Sequence, residues 1–364
     1  MATALSSVAW EASVLEPRPD RVLEAQARRR FGVPLPSVRY FVAVPWVARA
    51  AIDLHVEFGL LLKLDQRTAD LVALVVSQEN SCRYCYAAVR TTLWYQGMDT
   101  ARIERIERDL AHDAMHARTR ATLDYARRQS RLGPAAARAA RDGLRQHGVE
   151  ADEFREIAFT VALTDFSNRL HTAAAVPALP LEGMPERAPY RWVRPLIDWI
   201  MRRHHARGHP VPAPVVDAHQ PYARLVQAYA GSPIGAALAR TLDEMWASPQ
   251  LTRRCKLLIF AVVSRGLPCE ICETEVGHAL QREGLDAGTL ARALRDLDAP
   301  ELDAVERALL PFARETLWYE PAALQRRTRA LLGALTAPQI VEAIAVAALA
   351  NGLCRMTALV LEDA

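Results

Sequence analysis

The chain has 364 residues, half of them hydrophobic, which is more than one ordinary domain needs and enough for two buried cores. Its net charge of +3 is small for that length, so the composition asks for neither nucleic acid nor an anionic membrane as a partner. No run of ~18 apolar residues lacks a charge, and Glu11, Glu16 and Asp20 interrupt any secretory signal, so the expectation is no membrane span and a cytoplasmic protein.

Taken in chain order, the first informative stretch runs from Leu64 to Asp99. Leu71, Val72, Leu74 and Val75 predict an apolar helix that also carries Asp70. Asn80 or Ser81 is placed to cap a second helix starting at Cys82, and Gly97 suits that helix's C-cap. Ile103, Ile106 and Leu110 continue at helical spacing, and Gly133-Pro134 separates further helices. Phe154, Ile157, Ala158 and Val161 predict one more helix. Prolines 177, 180, 185, 189, 195, 210, 212 and 214 then read as a linker. Within it Trp192, Leu196, Ile197, Trp199 and Ile200 predict a short bridging helix, followed by a solvated basic run, Arg202-Arg203-His204-His205.

Beyond the linker the pattern returns. The stretch Leu251 to Asp286 aligns with Leu64 to Asp99 without a gap at an offset of 187, placing Cys82 on Cys269 and Cys85 on Cys272. Leu64, Arg67, Leu71, Val75, Val76, Ser77, Val89, Leu93, Gly97 and Asp99 each meet an identical residue. Later the offset is 186: Glu156 meets Glu342, Leu163 meets Leu349, Asp165 meets Asn351, and Arg169 meets Arg355. Gly284 repeats Gly97, and Ala299-Pro300 again separates helices. We find no period-2 strands. The expectation is an all-α fold built as a tandem repeat: residues 1–185, a proline-rich linker over 186–218, and residues 219–364.

Chemistry concentrates at the two Cys-x-x-Cys pairs. Cysteines at i and i+3 on one helix are neighbours and can close a disulfide. The positive end of a helix, with Arg83 beside it, lowers a thiol's pKa and raises its thiolate fraction. Six cysteines in a long, core-rich chain do not suggest a disulfide scaffold, so Cys82 and Cys85 read as a reactive dithiol. Two other readings stay open: small buried cysteines that only pack, and half of a zinc site whose other ligands come from elsewhere. In the second pair, Cys269 and Cys272 stand among Glu270, Glu273 and Glu275, whose charge opposes a thiolate, so this pair is expected to react less. Cys255 and Cys354 read as core residues, either of which could also join a redox relay.

A carboxylate-bearing helix, then Cys-x-x-Cys opening the next, then Gly some 12 residues later, resembles the AhpD-like/carboxymuconolactone decarboxylase family. So does the later Asn168-Arg169-Leu170. The resemblance covers most of each half and is tightest at the Cys-x-x-Cys block. It implies an AhpD-like helical domain in each half. In redox-active members a Glu twelve positions before the first Cys and a His four after the second relay a proton from the second Cys. That Cys attacks a hydroperoxide, and the first resolves the product into a disulfide. Carried over, Cys85 attacks and Cys82 resolves, Asp70 replaces the Glu, and Val89 stands at the His position. In the second half Cys272 and Cys269 match, with Leu257 and Val276 at the other two places. The helix-terminus argument instead favours Cys82 as the thiolate.

The family supplies the remaining expectations. The activity is that of a thiol peroxidase or disulfide oxidoreductase, needing no bound cofactor and no metal. Its partners are a hydroperoxide or disulfide substrate, a thioredoxin-like or lipoyl dithiol reductant, and further copies of the chain. Alternatives are a non-redox enzyme of the decarboxylase type and a binding or scaffold protein whose cysteines only pack. Asp70 reads as a base near the thiols or as a solvated residue. His55 and His171 are candidates for the missing relay, though satisfied core histidines are commoner. For Arg169, Arg355, Glu156 and Glu342 a buried hydrogen-bonding role is expected. Tyr84 and Trp94 read as packing aromatics.

Overall fold

In the computed structural model the described residues are 5–31, 35–55, 59–110, 115–131, 137–178, 188–204, 208–318 and 320–361. Gly133-Pro134, Pro180, Pro185 and His205 lie outside them. The fold is all-α. The first half holds α1 (Arg21–Phe31), α2 (Pro45–Asp53), α3 (Gln66–Glu79), α4 (Arg83–Tyr95), α5 (Thr100–Arg108), α6 (Ala117–Arg131), α7 (Ala137–Gln146) and α8 (Ala151–Ala173). After α9 (Ala188–His204) come α10 (Ala223–Ala228), α11 (Pro233–Ala247), α12 (Arg253–Gly266), α13 (Glu270–Arg282), α14 (Ala287–Asp296), α15 (Ala304–Glu315), α16 (Pro321–Ala330) and α17 (Ala337–Val360). The bounds of α3 and α4 recur in α12 and α13, and the start of α8 in that of α17, at the offsets seen in the sequence, α17 running one residue further at its end.

Local signals explain the ends. Asp65 caps α3 by accepting from the Thr68 amide at 3.0 Å, and Thr252 caps α12. Asp99 and Asp286, an identical pair, cap α5 and α14. Gly97 and Gly284 take φ of +99° and +83°, and the following amides bond back to Leu93 O at 3.1 Å and Leu280 O at 3.0 Å, closing α4 and α13 in the left-handed turn that glycine favours.

The two long helices α8 and α17 are buried on nearly every face and lie against each other at the centre of the molecule, α17 almost wholly apolar and α8 carrying buried polar groups such as Glu156, Asp165 and Arg169. Gly352 permits their close approach, since a Cβ there would stand 2.9 Å from Ala162 O. By length and hydropathy α17 is long and apolar enough to cross a membrane, but 94% of its most apolar window is buried inside the fold, as in a core helix.

Arginines lock the pair reciprocally. Arg169 donates to Thr316 O at the end of α15 (2.8 Å), and Arg355 donates to Gln129 O near the end of α6 (3.0 Å). Asp165 lies between both guanidiniums, 2.9 Å from Arg169 Nη1 and 3.4 Å from Arg355 Nε. Glu156 accepts from the amides of Leu62, Lys63 and Leu64 at 2.7–2.8 Å. Its counterpart Glu342 accepts from the Leu251 amide (2.6 Å) and from Trp46 Nε1 (2.8 Å), and lies 3.6 Å from the fully buried Lys256 ammonium. All four residues thus serve the buried hydrogen-bonding role expected of them.

The bridging helix is longer than a short turn and packs differently. Arg194 lies over the Trp94 ring, 4.7 Å from its centroid, while Trp192, Leu196 and Trp199 face solvent rather than the core.

Candidate functional site: a buried dithiol

Cys82 caps α4 itself, so the helix begins at Arg83, one residue later than expected, and neither Asn80 nor Ser81 supplies the cap. Ser81 turns the chain with φ +52°. The Cys82 sulfur accepts from the Cys85 amide at 3.5 Å, and both thiols are buried and unbridged. Burial alone pushes Cys82 up. Hydrogen bonds from the Cys85 thiol and amide, the Thr172 hydroxyl and the Tyr84 amide outweigh it and hold Cys82 below the ordinary thiol value. Burial, then the donation to Cys82 and the charge there, push Cys85 well up. Of the two thiols Cys82 is thus the more easily ionised, in the sense that the helix-terminus argument gives, whereas the resemblance gives attack to Cys85. Arg83 takes no part: its guanidinium reaches Val8 O at 3.4 Å.

A histidine reaches the pair from α8. His171 Nδ1 lies 3.6 Å from Cys85 Sγ and 2.6 Å from Ser167 O. A separation that short from a carbonyl places the proton on Nδ1. Nε2 then carries the lone pair, buried and without a hydrogen-bond partner among the described residues. Tyr84 stacks on the ring at 4.5 Å with 6° between planes, and Phe41 meets it edge-on at 5.9 Å. Burial, opposed by Ser167 O and assisted by nearby His55, lowers His171 to about 4, so it is neutral at pH 7. His55 bonds Ala51 O at 2.7 Å and is lowered to about 4 by burial as well. A cavity of about 10 Å3, room for one water, lies where Asn80, Arg169 and Thr172 meet Trp318 and Leu324 of the second half. Through Thr172 it adjoins Cys82.

Asp70 is not part of this cluster. It is buried, with Oδ1 accepting from Gln66 at 3.1 Å and Oδ2 from Gln96 at 2.5 Å. Gln96 caps the far end of α4, ~20 Å of helix from Cys82. The expected base near the thiols is thus a packing carboxylate at the opposite end.

In the second half, Cys269 and Cys272 are fully buried and disulfide-bonded, with Cα atoms 5.3 Å apart. The expected glutamate cage is partly occupied elsewhere: Glu273 pairs with Arg265 at 2.9 Å, and Glu275 accepts from the Tyr222 amide at 2.8 Å. Thr357 stands at the position of His171, and His278 is exposed. Cys354 meets Tyr222 Oη at 3.2 Å and is pushed up to about 12 by burial, while burial also raises Cys255.

Among the described residues no group of three His, Cys, Asp or Glu side chains is disposed to hold a metal. Thr172, Phe41 and the stacking role of Tyr84 escaped the sequence reading. No spacing links Thr172 or Phe41 to the cysteines, Tyr84 sits inside the motif but its stacking partner is distant in sequence, and only the helix at 151–173 brings His171 and Thr172 there. Comparison of the chain with protein families, curated proteins and solved structures finds no match.

Proposed function

We propose that the first half is a dithiol–disulfide redox centre that reduces hydroperoxides or exchanges disulfides, as the resemblance to AhpD-like proteins implies. The observation that carries this reading is the geometry of the pair: the Cys82 sulfur accepts from the Cys85 amide at 3.5 Å and His171 Nδ1 lies 3.6 Å from Cys85 Sγ, with Cys82 held below and Cys85 pushed above the ordinary thiol value. The thiolate is the nucleophile in such chemistry.

In the forward step the Cys82 sulfur attacks the hydroperoxide ROOH. An S–O bond forms, the O–O bond breaks, and RO− leaves with the proton given up by the Cys85 thiol. Cys82 is then a sulfenic acid. His171 Nδ1 lies 3.6 Å from Cys85 Sγ with its proton held by Ser167 O, so the ring packs against the thiolate left there without donating to it. That thiolate attacks the sulfenic sulfur, an S–S bond forms, and the sulfenic O–H leaves as hydroxide, which becomes water by taking from solvent the proton that Cys82 released on ionising. Two thiols and ROOH become a disulfide, ROH and water. An external dithiol, thioredoxin-like or lipoyl, returns the pair to thiols and is itself oxidised. The resemblance gives attack to Cys85; the hydrogen bonds that lower Cys82 support the reverse assignment proposed here.

The second half has the cysteines without the histidine, and we assign it slower turnover. Neither half requires a resident cofactor.

The test counts free thiols before and after a small excess of cumene hydroperoxide. Wild type is expected to lose two thiols, recovered by dithiol. Cys82→Ser should lose none from the first half. Cys85→Ser should stop at a sulfenic acid that dimedone traps on Cys82. A trap on Cys85 in Cys82→Ser would restore the roles of the resemblance, and unchanged thiols with no trapped species in any form would end the peroxidase reading.

A further inference from the structure

The small cavity that adjoins Cys82 through Thr172 is built by both halves. Asn80, Asn168 and Thr172 line it from the turn before α4 and from α8, and Trp318, Pro321 and Leu324 close it from beyond α15 and from α16. Its volume of about 10 Å3 holds one water-sized molecule. Asn80 is only 4% exposed and Asn168 only 1%, yet Asn80 Oδ1 and Asn168 Nδ2 have no hydrogen-bond partner among the described residues. The other atom of each amide is committed. Asn80 Nδ2 donates to Asp165 at 2.7 Å, and Asn168 Oδ1 accepts from Ser77 at 3.1 Å. The cavity wall thus offers a buried acceptor and a buried donor, which cost stability unless a small molecule with both functions takes them up.

The repeat does not carry this arrangement into the second half. At the offsets of 187 and 186, Asn80 meets Leu267, Asn168 meets Cys354 and Thr172 meets Ala358. Beside Cys269 and Cys272 these positions therefore hold no amide and no hydroxyl.

We propose, on the redox reading given above, that this cavity docks the peroxide and selects hydrogen peroxide over bulkier organic hydroperoxides. Hydrogen peroxide has a donor and an acceptor on each oxygen and is little larger than water. It donates to Asn80 Oδ1 and accepts from Asn168 Nδ2 at once. An organic hydroperoxide brings a tail that the cavity does not hold. Its path to Cys82 opens only when Trp318, 58% exposed at the rim, moves aside. Docked hydrogen peroxide is one side chain, Thr172, from the Cys82 sulfur that Thr172 donates to. The Cys82 thiolate attacks one oxygen, an S–O bond forms and the O–O bond breaks, and hydroxide leaves as water with the proton of the Cys85 thiol. The disulfide then closes as described for ROOH.

The test follows loss of the Cys82 and Cys85 thiols in the full chain, by alkylation and mass spectrometry, with hydrogen peroxide and with cumene hydroperoxide at equal concentration. Each rate is divided by that of the same peroxide with free dithiothreitol, which removes intrinsic reactivity. Wild type is expected to favour hydrogen peroxide at least about tenfold. Trp318→Ala opens the rim and should remove most of that preference. Asn168→Leu keeps the shape without the donor and should slow hydrogen peroxide about 3–10-fold. Should that buried substitution unfold the chain, the exposed Trp318 carries the test. Equal normalised rates in wild type, or a preference that either folded variant leaves unchanged, would overturn docking here and leave the redox reading standing. An unchanged preference is what a cavity for a structural water alone would give. Thiols that survive both peroxides would end the redox reading and this proposal together.

Discussion

Four donors converge on the Cys82 sulfur, and one of them, the Thr172 hydroxyl, comes from α8. Thr172→Val keeps the shape and removes that donor. Its Cys82 thiolate, followed by ultraviolet absorbance or by alkylation rate against pH, should titrate about one to two pH units higher. An unmoved curve would show that the helix end alone sets the charge. The histidines make a separate prediction. His171 and His55 are both lowered to about 4 in the fold, against ~6.5 unfolded. A depressed value means the unfolded chain binds the proton better. The stability linked to these groups is therefore fully present above ~6.5 and is lost as pH falls through about 4. For His171 alone the loss is on the order of 3 kcal/mol. Denaturant midpoints should fall over that window, and His171→Phe, which keeps a stacked ring, should flatten the slope.

At the scale of elements, the α8–α17 pair is the feature most exposed to small changes. Gly352→Ala puts a methyl against the Ala162 carbonyl and should cost about 1–3 kcal/mol, read from denaturant unfolding. Asp165 is the carboxylate between two buried guanidiniums, and its counterpart is the neutral Asn351. Asp165→Asn leaves Arg169 and Arg355 to share a neutral amide, and a loss of about 3–5 kcal/mol is expected. Asn80, whose amide donates to Asp165 at 2.7 Å, lies two residues before Cys82, so the same change should also alter Cys82 labelling. Unchanged stability would mean that water or other groups already carry this charge.

For the whole molecule, the reciprocal arginine contacts and the buried helix pair resemble a two-fold interface folded into one chain. Each half leaves its central helix bare without the other. Residues 219–364 expressed alone should associate or fail to unfold cooperatively, whereas the full chain should melt in a single transition. A separate, reversible transition for each half would show the seam to be dispensable. We also propose that the chain self-associates as the resemblance implies, which light scattering reads directly; a monomer at all concentrations rejects it.

Much of this was legible because it is local. The glycine C-caps at 97 and 284 and the 3.6-residue period depend on residues a turn or two apart, so the all-α class follows from the amino acids in order, while the aspartate caps at 65, 99 and 286 went unread and the cap expected at Asn80 or Ser81 falls on Cys82. The Cys-x-x-Cys pair was visible for the same reason. What lay beyond the sequence depends on residues far apart in it. His171 is 86 positions from Cys85, and no periodicity announces that α8 passes α4 at that height. Asp70 holds the right spacing for a base, yet the packing of α3 on α4 turns it to Gln96. The split between the two thiols, Cys82 lowered and Cys85 raised, likewise depends on tertiary structure, because burial and Thr172 act on the sulfurs through space.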